Sequence, residues 1–103
     1  MSEDLRSHNK FPYFHNFIVS DDVTTEILIP ATCSRVSLGS INKDLFVYKN
    51  GATDAGTPPS NKGFIPKSNY LSIQIGKGLE RIDSIFISSQ SGSADVSVIL
   101  EET

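Results

Sequence analysis

The sequence predicts an all-β fold: a two-sheet antiparallel β-sandwich, jelly-roll-like, of about eight strands with an extended N-terminal arm. Three observations predict it. Apolar residues recur with period two through most of the chain, which marks half-buried strands. Clusters of Gly, Pro, Ser and Asn separate these runs at roughly 8–12-residue spacing, the rhythm of a sandwich or barrel. Helical periodicity is almost absent, and nothing supplies the βαβ alternation of a nucleotide-binding sheet.

Residues 1–17 read as the arm and 18–103 as the sandwich domain. The opening "MSEDLRSHNK" is too polar to build a core, and "FPYFHNF" then concentrates Phe11, Tyr13, Phe14 and Phe17. Four free aromatics would form an apolar patch that a monomer rarely tolerates, and each buries about 150–250 Å² once docked. The arm therefore either folds back as a first strand or docks on a neighbouring subunit or partner. These four are the candidate partner-binding residues. Pro12 holds its predecessor extended, which suits both outcomes.

The strands follow in order. "NFIVS" from Asn16 is the first, and "VTTEILIP" puts Val23, Thr25, Ile27 and Ile29 on one face before Pro30 stops it. "SRVSL" contributes Val36 and Leu38. "DLFVYKN" is apolar on both faces, Leu45 and Val47 against Phe46 and Tyr48, so it should be covered on both sides by the opposite sheet or a partner. A short "GFIP" from Gly63 precedes "YLSIQIG", where Leu71, Ile73 and Ile75 face inward. The last two runs carry Ile85 and Ile87, then Val96, Val98 and Leu100, and the small turn Ser89 to Ser93 joins them as an apparent hairpin. Outward Ser84, Ser97 and Asp95 would keep its edge polar against aggregation.

Bulk properties narrow the function. A chain of 103 residues is one domain by length, and one of this size buries roughly 60–70% of its unfolded surface. Its net charge of −3 and nine scattered Lys and Arg offer no phosphate-tracking stripe, so nucleic acid is not an expected partner. Cys33 is the single cysteine, which excludes a disulfide framework and a Cys-based zinc site and suits a small core filler. No apolar run of signal-peptide or membrane length opens the chain, so synthesis in a cytoplasm without classical export is expected, with no membrane partner.

Chemistry-bearing patterns are sparse. Gly51 and Gly56 have phosphate-loop spacing, but Thr57-Pro58 follows where Lys and then Ser or Thr are needed. His8 and His15 both lie in the arm, so a nucleophilic or metal site would have to borrow them from there. Asp44, Asp54, Glu80, Asp83 and Asp95 flank turns or face outward, where solvation is their ordinary role. Asp21 and Asp22 with Asp44 or Asp54 form no compact calcium motif. No catalytic residue, metal or cofactor is assigned. Phe46, Tyr48 and Tyr70 mark a possible interface or ligand face, with the long turn-rich stretch Asn50 to Gly63 beside it.

The order of an "IPA" turn, the strand "SRVSLGSINKDLFVYKN", a polar loop, "IPKSNYLSIQI" and "IDSIFISSQSGSADVSVILEE" resembles the small β-sandwich virion proteins of tailed bacteriophages. The resemblance covers about residues 23–102 and rests on strand pattern and turn chemistry. It implies a non-enzymatic virion role, foremost a capsid decoration (cement) protein, otherwise a head fibre base or a tail or connector component. It implies homo-oligomers (dimer or trimer) and contact with the major capsid protein or other virion subunits, and no catalytic residues carry over. The alternative is a carbohydrate- or ligand-binding module such as a receptor-binding or tail component. It would use the 50–63 loop with Tyr48 or Tyr70.

Overall fold

The computed structural model describes residues 2–20, 23–49, 61–76, 81–89 and 92–102. Nine strands run among them: β1 (Ser2–Asp4), β2 (Tyr13–Val19), β3 (Thr25–Leu28), β4 (Arg35–Ser40), β5 (Leu45–Tyr48), β6 (Gly63–Ile65), β7 (Asn69–Gln74), β8 (Ser84–Ser89) and β9 (Ala94–Glu101). One sheet has the order β1-β3-β8-β5-β6 and the other β2-β9-β4-β7. The fold is all-β, a two-sheet sandwich.

The pairing is nested. β2 pairs with β9, β3 with β8, β4 with β7 and β5 with β6, all antiparallel. This is one long antiparallel ribbon rolled up, closed by the β4–β9 and β5–β8 ladders. The arrangement is that of a jelly roll, with β1 added in parallel beside β3.

Alternation then builds the core. Ile27, Leu45, Val47, Ile65, Ile85 and Ile87 point in from the first sheet, and Val19, Val36, Leu38, Val96, Val98 and Leu100 from the second. Cross-strand neighbours reinforce them, Ile27 beside Ile85 and Leu38 beside Val98. Full burial of each such side chain contributes about 1.5–3 kcal/mol. Gly39 sits where β4 and β7 approach closely: a Cβ there would stand 2.1 Å from the Asn69 carbonyl oxygen.

Side chains tie the connections. The Pro30 stop becomes a turn in which Cys33 N–H donates to the Pro30 carbonyl at 3.2 Å. The Arg81 guanidinium clamps this turn from outside, donating to the Cys33 carbonyl at 2.7 Å and to the Pro30 carbonyl. After β4, the Asn42 side-chain oxygen accepts from the Asp95 N–H at 2.8 Å, which fixes the start of β9. Gly92, with φ of +113°, takes a conformation that side-chain-bearing residues rarely adopt.

Three expectations need correction. The first concerns the arm: β1 belongs to one sheet and β2 to the other, so the expected boundary after residue 17 falls inside a strand. Leu5 is buried in the core and its N–H donates to the Leu28 carbonyl at 3.0 Å, anchoring a segment too polar to announce itself. The second is the closing hairpin. β8 and β9 lie in different sheets and do not pair with each other. Two alternating runs on a short turn satisfy a crossover between sheets as well as they satisfy a hairpin. The third follows from it: Ser84, Ser97 and Asp95 guard no edge, because β8 and β9 are interior strands with neighbours on both sides.

Gly39→Ala is expected to lower stability by about 1–3 kcal/mol or more, because its methyl meets rigid backbone rather than a movable side chain. Leu45→Ala, at a fully buried site, is expected to cost about 2–5 kcal/mol. Urea denaturation checks both. A Gly39→Ala midpoint equal to wild type would contradict the close approach of β4 and β7.

Candidate functional site

Alternation along β2 divides the aromatic segment into two faces. Tyr13, His15, Phe17 and Val19 turn inward, while Phe14, Asn16 and Ile18 turn outward. Phe11, Tyr13 and Phe17 pack against the core, and only Phe14 of the four candidates is highly exposed, at 64%. The inward rings form a ladder that closes the side of the sandwich. His8 stacks on Tyr13 with centroids 3.8 Å apart, and His15 lies 5.5 Å from Phe17. The His15 Nε2 is 2.8 Å from the Glu3 Oε1, linking β2 of one sheet to β1 of the other.

Phe46, Tyr48 and Tyr70 do not share a face. Phe46 and Tyr48 lie on the outer side of the first sheet, opposite to their inward neighbours Leu45 and Val47. Tyr70 lies on the outer side of the second sheet, 50% exposed. Tyr48 is only 4% exposed: its hydroxyl pairs with the Thr24 hydroxyl at 3.0 Å and its ring stacks parallel to Phe86 at 6.2 Å. Phe64 flanks Phe46 at 5.7 Å, and the Lys62 ammonium sits 5.4 Å over the Phe46 ring. The outer side of this strand is thus covered at Tyr48, while Phe64 beside Phe46 stays 56% exposed.

The outer side of the second sheet is different. Phe14, Ile18 and Tyr70 project from it, and Ile41, 69% exposed, lies just beyond β4. Ile18 and Ile41 flank Asp95 in a shallow groove of about 620 Å³ floored by Val96 and Ser97. Ile18 and Ile41 were not among the sequence candidates. An isoleucine in a strand pattern reads as core, and only the register of β2 reveals that Ile18 faces away from it.

Reactive groups are dispersed among the described residues. His8 and His15 are engaged as above. The Cys33 thiol is buried and donates to the Arg35 carbonyl at 3.3 Å, and burial pushes its pKa up. No group of three or more His, Cys, Asp or Glu side chains is placed to hold a metal among the described residues. Asp21, Asp22, Asp54, Glu80 and residues 50–60 of the long loop lie outside the described residues. Comparison with protein-family models, curated proteins and solved structures found no match.

Arg6 grips the Asp4 carboxylate with two side-chain bonds, at 2.9 and 2.7 Å, and its own N–H adds a third at 3.1 Å. These bonds lower the Asp4 pKa from 3.8 to about 2. Because the folded value is depressed, whatever the clasp adds to stability is present above pH 3.8 and is lost as pH falls through about 2. A carboxyl-carbon NMR titration should place Asp4 below the other carboxylates, and Arg6→Gln should move it back up. An unmoved midpoint would contradict the clasp.

Proposed function

We propose that the chain is a non-enzymatic structural protein of a phage virion, a capsid decoration protein that binds neighbouring capsid subunits and braces the particle. The observation that carries this reading is a set of exposed apolar side chains on the outer side of the second sheet of a jelly roll: Phe14 and Ile18 on β2, Tyr70 on β7, and Ile41 just beyond β4. Exposed apolar side chains gathered on one face mark contact surfaces more often than single scattered ones. Fully covering a Phe or Ile contributes about 1.5–3 kcal/mol. Asp95, between Ile18 and Ile41, supplies a carboxylate for a Lys or Arg at the rim of the partner.

Two further points support it. The strand and turn pattern resembles small phage virion sandwiches, and jelly rolls serve repeatedly in viral capsid and lectin domains. The second point is fold-level analogy, since one fold hosts many functions. The carbohydrate-binding alternative would use the 50–63 loop with Tyr48 or Tyr70, and residues 50–60 of that loop lie outside the described residues. Tyr48 is buried, and the two rings lie on opposite outer faces, so they cannot flank one sugar.

Density-gradient purification of particles from cells producing the source phage tests this directly. The chain is expected in the particle band at a fixed ratio to the major capsid protein. Ile41→Lys, at an exposed site outside any strand, is expected to shift it at least tenfold toward the soluble fraction while the melting temperature holds. A wild-type chain that stays wholly soluble beside mature particles would overturn the reading.

A further inference from the structure

We propose that β2 is a self-association edge: two copies of this chain pair antiparallel along β2, about a two-fold axis through Asn16. The observation behind it is an edge strand without the usual protection. Exposed sheet edges are ordinarily blunted by shortness, charge, proline, a bulge or a cover. β1 and β6 are short, three residues each, and β1 carries Glu3 and Asp4. β7 has six residues and is exposed along most of its length, but it sets polar Ser72 and Gln74 outward beside Tyr70. It approaches β6 at Leu71, whose Cδ2 comes within 4.0 Å of the position a Gly63 side chain would take. Among the described residues, β2 shows neither shortness, charge, proline nor a bulge. It runs seven residues, Tyr-Phe-His-Asn-Phe-Ile-Val, with no Pro, Lys, Arg, Asp or Glu, and its register with β9 is unbroken.

The outward residues specify the occupant. Phe14 and Ile18, each 64% exposed, stand two residues to either side of Asn16. Antiparallel pairing about Asn16 sets Phe14 opposite Ile18 of the second copy, and Ile18 opposite Phe14 of the second copy. A two-fold contact must be self-complementary in this way. Aromatic–β-branched pairs are among the favourable cross-strand neighbours. On the inward side His15 comes opposite Phe17 of the second copy. Identical residues meet only at Asn16, so no like charges face each other on the axis, and two exposed carboxamides there can each donate and accept.

The edge is short. Seven residues and two Phe–Ile pairs close less than the ~1,200 Å² at the lower end of standard interfaces, so the dimer is weak in dilute solution. High local concentration on a particle surface strengthens such a contact. The inference rests on the virion reading only for that concentration; the pairing itself follows from β2.

Analytical ultracentrifugation of the full chain across a concentration series tests it. The mass should rise from one copy to two. Phe14→Lys with Ile18→Lys should remain a single copy at concentrations at least tenfold higher. Phe14→Glu with Ile18→Lys, which places opposite charges across the axis on both sides, should pair again. Asn16→Cys should cross-link on mild oxidation, since facing residues of an antiparallel pair lie about 4.5–5.5 Å apart, within disulfide reach. Ile18→Cys, about 13 Å from its own copy in this register, should not. Cys33 is buried and leaves the readout clean. A single-copy mass at every concentration without an Asn16→Cys cross-link would overturn the proposal. Equal cross-linking of Asn16→Cys and Ile18→Cys, or failure of the Glu/Lys variant to pair, would overturn the register. A chain that enters particles but never pairs loses only this inference, and one that pairs but never enters particles loses only the virion reading.

Discussion

Nested backbone pairing is the constraint on which everything else depends. Each strand of the roll finds its mate on the other side of the β5–β6 pair, so the register of one ladder limits the next. Val36 stands beside Leu100 on one side and Ile73 on the other, and a shift of one residue in β9 would turn Val96, Val98 and Leu100 to solvent. Gly39 belongs to the same constraint. It lies between Ser97 and Tyr70, and the ladder closes only because no side chain intervenes.

The two sheets treat their outer faces differently, and that asymmetry organises the surface. The first sheet covers part of its outer face: Tyr48 stacks on Phe86, the Tyr48 hydroxyl reaches past β8 to Thr24, and Phe46 meets Phe64, which stays 56% exposed. The second sheet has no such aromatic layer, and its apolar residues remain in solvent.

Much of this was legible in the sequence, and the misses have physical causes. Period-two alternation located β3, β4, β7, β8 and β9, because a half-buried strand leaves a direct trace in residue order, and β5 showed as a run apolar on both faces. Alternation does not say which strand is the neighbour, so the link from β8 to β9 resembled a hairpin. β1 left no trace because Ser-Glu-Asp has no apolar face, and pairing to β3 with Leu5 as anchor holds it. The aromatic segment attracted notice for its composition, yet its meaning lay in parity: Tyr13 and Phe17 count with the core, Phe14 with the surface. Tyr48 illustrates the limit for a candidate face, since only the arrangement of β3, β8 and β5 reveals the hydroxyl and ring that cover it.

The rolled ribbon also governs the order of events at the ribosome. β2 emerges before its mate β9 with six strands between them, and Tyr13 waits for Leu100. β3 waits for β8, and β4 waits for β7. Only β5 and β6 have their mutual pairing in hand soon after they emerge. A nascent chain therefore holds most of its apolar strands unmatched until β7, β8 and β9 have emerged.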